Sequence, residues 1–180
     1  MGAQMTEYVS KTTVIACVLV IIVGVVGGAI AYLDRSPVVE KQVSGSNAIP
    51  AHIALSLVAA ALVVGLSRHR LANRAPYSIW VAPFSQSGFD RFERTILLRS
   101  GASPTNALRA VLACMVAMVM FYNFFRAGVQ VIGGLDSNFT VNAWGGPSYL
   151  GAMAAHYLDG AYLFYATALA LNVILVERTR

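Results

Sequence analysis

Charged residues are scarce in this sequence. They make up 12% of its 180 residues, whereas 57% are hydrophobic, and a soluble domain typically carries about 25% charged residues. Lysine is nearly absent, since Lys11 and Lys41 are the two examples. So little charge is poorly suited to water and well suited to lipid. The excess of arginine over lysine, with many Ala, Gly and Val residues, is typical of GC-rich prokaryotic coding.

Cysteine is also rare, and several common patterns are missing. Cys17 and Cys114 each lie in an apolar run, which argues against a disulfide framework or a zinc site and favours two buried structural thiols. The sequence lacks the alternating segments of about ten residues that a membrane β-barrel needs. It also lacks a nucleotide-binding loop and a metalloprotease signature. We therefore predict an all-α protein.

Four apolar segments are candidates for membrane spans. A span needs about 20 predominantly apolar residues, with a lower limit of about 17, so the second segment is marginal. The first segment could instead be a secretory signal cleaved after Ala29-Ile30-Ala31, but it is longer than the usual apolar region of about 7–15 residues. We predict a single all-α integral-membrane domain over residues 1–180, an antiparallel up-down bundle of four transmembrane helices. These cover residues 12–33, 49–66, 107–132 and 149–176.

The distribution of arginine predicts the orientation of the chain. Positively charged loops stay in the cytoplasm, and the loop of residues 67–106 and its flanks are rich in arginine. We therefore expect both termini and this loop to be cytoplasmic, with residues 36–50 and 133–148 outside, in a prokaryotic inner (plasma) membrane. The charge suits contact with anionic lipid, and no nucleic-acid binding is expected. The arginines are Arg68, Arg70, Arg74, Arg91, Arg94, Arg99 and Arg109.

The cytoplasmic loop contains one amphipathic segment. Ser87 and Asp90 fit the capping pattern at the start of a helix, and Gly101 supplies a stop. Between them, apolar side chains recur on one helical face. We predict a short helix over residues 88–100 at the headgroup boundary, with its apolar face toward lipid or the floor of the bundle. The apolar residues are Phe89, Phe92 and Ile96.

A short turn follows this helix. Ser103 and Pro104 fit the N-cap and first position of the third span. The stretch Leu-Leu-Arg-Ser-Gly-Ala-Ser-Pro at residues 97–104 resembles the turn in the coupling loop of ABC-transporter permeases. Thr95-Ile96-Leu97 stands where those proteins have Glu-Ala-Ala, and the resemblance covers this stretch alone. It implies a turn that docks a cytoplasmic partner, and it assigns no family.

The polar residues inside the third and fourth segments are the candidates for a site. Asn123, Arg126 and Gln130 are spaced by three and four, which places them on one helical face. His156 and Asp159 are three apart in the fourth segment. An arginine at the centre of a bilayer costs about 2.5–3.5 kcal/mol or more when unpaired. We predict that Arg126 pairs with Asp159 in the outer half of the bundle, and that His156, Asn123 or Gln130 completes the hydrogen bonding.

This cluster has two interpretations. It is either an ion pair that fixes the register of two helices, or a polar pocket that handles protons, a quinone headgroup or another small polar ligand. The candidate haem ligands are His52 and His156. At a rise of about 1.5 Å per residue, His52 lies at the membrane edge and His156 roughly 10 Å inside. We therefore expect no shared haem and no other metal site, whereas a quinone suits the pocket.

Two short motifs are weaker signals. Gly24 and Gly28 form the small-residue pattern that lets two helices approach closely. Asn138-Phe139-Thr140 matches a glycosylation sequon, but the prokaryotic composition favours an unmodified loop.

These observations predict a small accessory or structural subunit of a larger prokaryotic membrane complex, not catalytic alone. Its expected partners are other membrane protein subunits and lipid. One alternative is a redox-linked subunit with a quinone or proton site around Arg126, His156 and Asp159. Another is a small transporter or permease protomer whose turn at residues 99–104 docks a partner.

Overall fold

The computed structural model describes residues 10–45, 49–71, 84–99 and 101–176. Within these ranges the regular structure is helical, with no strand, which confirms the all-α prediction. The helices are α1 (Lys11–Leu33), α2 (Ile49–Leu71), α3 (Gln86–Ile96), α4 (Pro104–Gly133), α5 (Ser137–Thr140) and α6 (Tyr149–Ile174).

Three of these helices, α1, α4 and α6, are long and apolar enough to cross a membrane, with a mean hydropathy of 3.0, 1.8 and 1.2 over their most apolar windows. They correspond to the first, third and fourth predicted spans. The second predicted span is also a helix, α2. Its apolar stretch among the described residues, Ile49–Val58, is shorter than a span, so the fourth span remains a prediction.

Helix α1 packs against α4 through glycine. A methyl group added to Gly24 would lie 3.1 Å from the Cα atom of Gly128 and would collide with the carbonyl oxygen of Phe125. A methyl group on Gly28 would collide with the carbonyl oxygen of Val129. Residue numbers rise in the same direction on both helices, so α1 and α4 are parallel. The predicted close approach is confirmed, and the partner is the third predicted span rather than a sequential antiparallel neighbour.

Helix α6 runs antiparallel to α4, and an apolar cluster lies toward each end of α6. One end, which we call the α3 end, contains Ala113, Met120, Ala168, Leu171 and Leu175, with Phe92 of α3 packed against them. The other end, which we call the Trp144 end, contains Ala143, Ala152 and Met153. Polar residues of the predicted site lie between these two clusters.

Helix α3 starts and ends earlier than predicted. Its N-cap is Ser85, whose hydroxyl oxygen accepts a hydrogen bond from the backbone N–H of Gly88 at 3.0 Å, so the expected Ser87 cap is wrong. The helix ends at Ile96 rather than near Gly101. Leu98, with φ 51°, already takes the left-handed conformation that terminates helices. The cap predicted for α4 is confirmed, because Ser103 accepts from the N–H of Asn106 and Pro104 follows it.

Arg91 joins α3 to the end of α6, a role that its sequence position did not suggest. Its Nη2 atom donates to the carbonyl oxygens of Leu175 at 2.9 Å and Asn172 at 3.2 Å, and its Nε atom donates to that of Val176 at 3.1 Å. The N–H of Val176 donates to the hydroxyl of Thr95 at 3.2 Å. The last carbonyls of a helix lack intrahelical partners, and a guanidinium suits the negative end of the helix dipole.

At the Trp144 end, the side chain of Asn138 forms hydrogen bonds with the loop that follows α1. Its side-chain N–H donates to the carbonyl oxygen of Val38, and its oxygen accepts from the N–H of Glu40, both at 2.8 Å. A glycan on Asn138 would be attached to the same amide nitrogen that makes the first of these bonds.

Candidate polar groove between α4 and α6

Four of the five predicted site residues line one groove between α4 and α6. The groove has a volume of about 250 Å³ and is partly open. Most of its wall is apolar, so the polar groups are few and concentrated, as in many ligand sites. The lining residues are Asn123, Phe124, Arg126, Ala127 and Gln130 of α4, and His156, Tyr157, Gly160, Ala161 and Phe164 of α6.

Arg126 bonds to His156 across the groove. The Nη2 atom of Arg126 lies 2.8 Å from Nδ1 of His156. A guanidinium has donors and no acceptor, so Nδ1 must be the acceptor and a neutral ring carries its proton on Nε2. Within the described residues the guanidinium makes no ion pair with Asp159 and no second hydrogen bond. The predicted Arg126–Asp159 pair is wrong, and His156, expected as an auxiliary, is the partner.

Asp159 is bound on another side of α6. Its Oδ2 atom accepts a hydrogen bond at 3.0 Å from Nε1 of Trp144, in the loop between α5 and α6. The indole ring of Trp144 stacks on the imidazole of His52, with centroids 3.8 Å apart and planes 7° apart. Residues three apart on a helix point about 60° away from each other. His156 can therefore face α4 while Asp159 faces the loop and α2.

The two candidate haem ligands have different surroundings. The ring of His52 is covered on one face by Trp144, whereas His156 contacts Arg126 and packs with Phe139 at a centroid distance of 5.8 Å. In the ranges that the structure describes, no group of three or more His, Cys, Asp or Glu side chains is placed to hold a metal ion.

Asn123 makes a structural contact between the two helices. Its side-chain N–H donates to the carbonyl oxygen of Gly160 at 2.9 Å. A methyl group added to Gly160 would lie 3.2 Å from the amide oxygen of Asn123, closer than an ordinary contact. Glycine at this position therefore allows the close approach. We assign Asn123 to helix packing, although it lines the groove.

Gln130 differs from its neighbours because its side chain is buried without a protein partner. It is 2% exposed and lines the groove. Among the hydrogen bonds of the described residues, none uses its side-chain amide. Among the described residues, the fully buried side-chain polar atom that lacks a partner is the Oγ atom of Ser10, and the amide atoms of Gln130 are not in that class. The amide of Gln130 therefore keeps contact with the groove that it lines.

The groove therefore offers donors on an apolar background. Arg126 has five N–H donors and uses one on His156, and the amide of Gln130 adds two more. Phe124 and Phe164 supply flat apolar surface, with their rings edge to face at 5.8 Å. Asp159, the acidic residue predicted for this site, accepts a hydrogen bond from Trp144 and does not line the groove. Such a site suits a flat ligand, uncharged or anionic, that carries hydrogen-bond acceptor oxygens.

A second cavity, of about 140 Å³, lies nearer the α3 end. We call it the apolar cavity, because its lining residues carry no charge. Phe124 lines both the groove and the apolar cavity. The lining residues are Thr12, Thr13, Ala16 and Cys17 of α1, Phe84, Phe89 and Phe92 in or before α3, Ala117, Met120, Phe121 and Phe124 of α4, and Leu171 and Leu175 of α6.

Comparison with known proteins gives no relative: no protein-family model, no curated protein and no solved structure matches this chain. The groove and the residues around it are therefore the features from which a function is inferred.

Sequence reasoning missed Trp144 and Gly160 as parts of this region. Trp144 lies in a glycine-rich loop, and an indole N–H usually finds a partner when buried, which is the signal that could have pointed to Asp159. Gly160 lies four residues after His156, where a small residue permits contact with a facing helix.

Proposed function

We propose that this chain is a small subunit of a prokaryotic membrane complex that holds a quinone headgroup in the groove between α4 and α6. The observation that carries the proposal is Gln130, which lines the groove and whose side-chain amide makes no hydrogen bond to a described residue. In this proposal the chain binds the quinone, and a partner subunit supplies the electrons.

A quinone matches the chemistry of the groove. Its carbonyl oxygens accept hydrogen bonds, and Gln130 and Arg126 offer donors on the same wall. A hydrogen bond to a charged group contributes about 1.5–3 kcal/mol, so Arg126 would be the stronger of the two donors. Phe124 and Phe164 would pack against the ring. Polar and ionisable residues within membrane spans are energetically costly and rare, and they commonly mark functional sites.

Substitution of Gln130 separates ligand binding from a purely structural role. Gln130→Leu removes an amide that bonds to no described residue, so it should leave folding stability unchanged or raise it by less than about 1 kcal/mol. It should also weaken binding of a water-soluble, tail-less quinone by about tenfold, which corresponds to about 1.4 kcal/mol. Asn123→Leu is the matched control, because its amide bonds to Gly160 and its loss should lower stability.

The measurements are thermal unfolding and quinone titration on the full chain in lipid nanodiscs. Unchanged binding in Gln130→Leu, or no binding to the unaltered protein, would refute the proposal. Loss of stability in Gln130→Leu would show that the amide has a structural partner.

We further propose that both termini and α3 face the cytoplasm, as the arginine distribution indicates. In a variant with both natural cysteines replaced, single cysteines at Ser44 and Ser137 should react with a membrane-impermeant thiol reagent in intact cells. A cysteine at Ser85 should react after lysis only. The reverse pattern would refute the proposed orientation. It would not bear on the quinone proposal, which is tested by the Gln130 variant.

An accessory subunit without a ligand is the second candidate. In each of α1, α4 and α6, 17% of the most apolar window is buried inside the chain. Most of each helix therefore faces lipid or partner subunits, which supports assembly into a complex. Purification from native membranes with identification of the proteins that accompany the chain tests this candidate. A stable, isolated chain without companions would count against it.

A further inference from the structure

The apolar cavity near α3 has no role in the headgroup site, and its size suits an apolar fragment. It has a volume of about 140 Å³ and no charged lining residue. This space is partly open, and an apolar cavity of about 150 Å³ in another protein is large enough to bind benzene. A ring-sized apolar group would therefore fit here and make dispersion contacts with the lining residues.

Aromatic residues connect the apolar cavity with the polar groove. Phe124 lines both spaces. Phe164, in the wall of the groove, stacks on Phe84, in the wall of the cavity, with ring centroids 5.1 Å apart. Arg126 and Ala117 are nine positions apart on α4, or about 14 Å along the helix. The donors for a headgroup and an uncharged, mainly apolar space therefore lie at different heights along α4 and α6, and aromatic residues lie between them.

We propose that the bound quinone is prenylated and that its tail passes Phe124 and ends in the apolar cavity. This inference rests on the proposed headgroup site and names the class of its ligand more closely. A tail gains no hydrophobic free energy by leaving lipid for protein, because lipid is equally apolar. The cavity would therefore act by close packing, and it would select a tail by its shape.

Filling the cavity tests the position of the tail. Ala117 lines the cavity, so Ala117→Phe would occupy the space. Cys114, on the same helix, is exposed and outside the lining, so Cys114→Phe is a control of equal size. Ala117→Phe should weaken binding of a quinone with a short prenyl tail by about tenfold, the lower end of what apolar pockets achieve in discrimination. Binding of the tail-less quinone should not change, and Cys114→Phe should change neither.

The outcomes separate the two proposals. If the unaltered protein in nanodiscs binds the tail-less quinone through Gln130 and Ala117→Phe leaves prenylated binding unchanged, the tail inference is wrong and the headgroup site stands. If the unaltered protein binds neither quinone, both are wrong.

A photoreactive ligand gives a second test that needs no substitution in the cavity. The probe is a prenylated quinone with a diazirine at the end of its tail, bound to the unaltered chain in nanodiscs. The tail inference predicts crosslinks to the cavity-lining residues of α1 and of the segment around α3, which are Thr12, Thr13, Ala16, Cys17, Phe84, Phe89 and Phe92. Crosslinks confined to lipid-facing residues such as Cys114 would overturn it, even if Ala117→Phe does not fold.

Discussion

Replacing Arg91 by alanine should detach α3 from the end of α6. The guanidinium donates to three backbone carbonyl oxygens and to the side-chain oxygen of Asn172. The bonds to Leu175 and Val176, at 2.9 and 3.1 Å, have the best distances. Hydrogen bonds to a charged group contribute about 1.5–3 kcal/mol each. Because Arg91 is half-buried, we take the lower value for these two bonds and expect a loss of about 3 kcal/mol.

The matched control is Arg94→Ala, one turn further along α3, because the guanidinium of Arg94 makes none of the described hydrogen bonds. Arg94 is half-buried like Arg91, so this change should cost about 1 kcal/mol, the typical effect of a point substitution, and clearly less than the loss of Arg91. Arg91→Lys should recover part of the loss, since an ammonium cannot reproduce the planar set of donors.

Equilibrium unfolding in mixed micelles with increasing SDS, monitored by circular dichroism, would give these free energies. Hydrogen exchange of the last turn of α6 would report the local effect. Equal stability of Arg91→Ala and Arg94→Ala would refute the role of Arg91, as would unchanged exchange in that turn.

Two further contacts make testable predictions. Gly24→Ala should lower unfolding stability by about 1–3 kcal/mol through overpacking, whereas Gly27→Ala, whose new methyl would make contacts of 3.7 Å or more, should change it little. Equal effects would contradict the packing of α1 on α4. Asn138→Ala removes both side-chain bonds to the backbone of residues 38–40, so hydrogen exchange at residue 40 should increase. Ser137→Ala is the control. If Asn138→Ala exchanged at residue 40 as slowly as the unaltered protein, the contact would be contradicted.

The helices were predictable where local chemistry determines them. Long apolar runs predicted α1, α4 and α6, and Ser103 with Pro104 predicted the start of α4. The glycine pattern in α1 predicted a close contact without naming the partner helix. The start of α3 was predicted wrongly, because Ser87 matched the capping pattern whereas the hydroxyl of Ser85 accepts the bond from Gly88.

The groove shows where sequence reasoning stopped. Spacing alone placed Asn123, Arg126 and Gln130 on one face of α4. Charge complementarity favoured Asp159 as the partner of Arg126, and this prediction was wrong, because His156 and Asp159 lie on neighbouring faces of α6 and His156 faces Arg126. The choice between them depends on the rotation of α6 about its axis, and Trp144 bonds to Asp159 from a loop outside both helices. Contacts of this kind depend on tertiary placement and have no local sequence pattern.

The roles of Gln130 and Asn123 also needed coordinates. Both are amides on the same face of α4, and both are nearly buried. The structure distinguishes them, because Asn123 bonds to Gly160 and the side chain of Gln130 has no bond among the described residues.

The most direct test of the quinone site is the ligand that the protein carries from its own membrane. The chain would be purified from native membranes in mild detergent, and extracted lipids would be identified and quantified by mass spectrometry. The account predicts a prenylated quinone at close to one per chain in the unaltered protein, and severalfold less in Gln130→Leu at equal folding. Absence of quinone from the unaltered protein, or the same amount in Gln130→Leu, would contradict it.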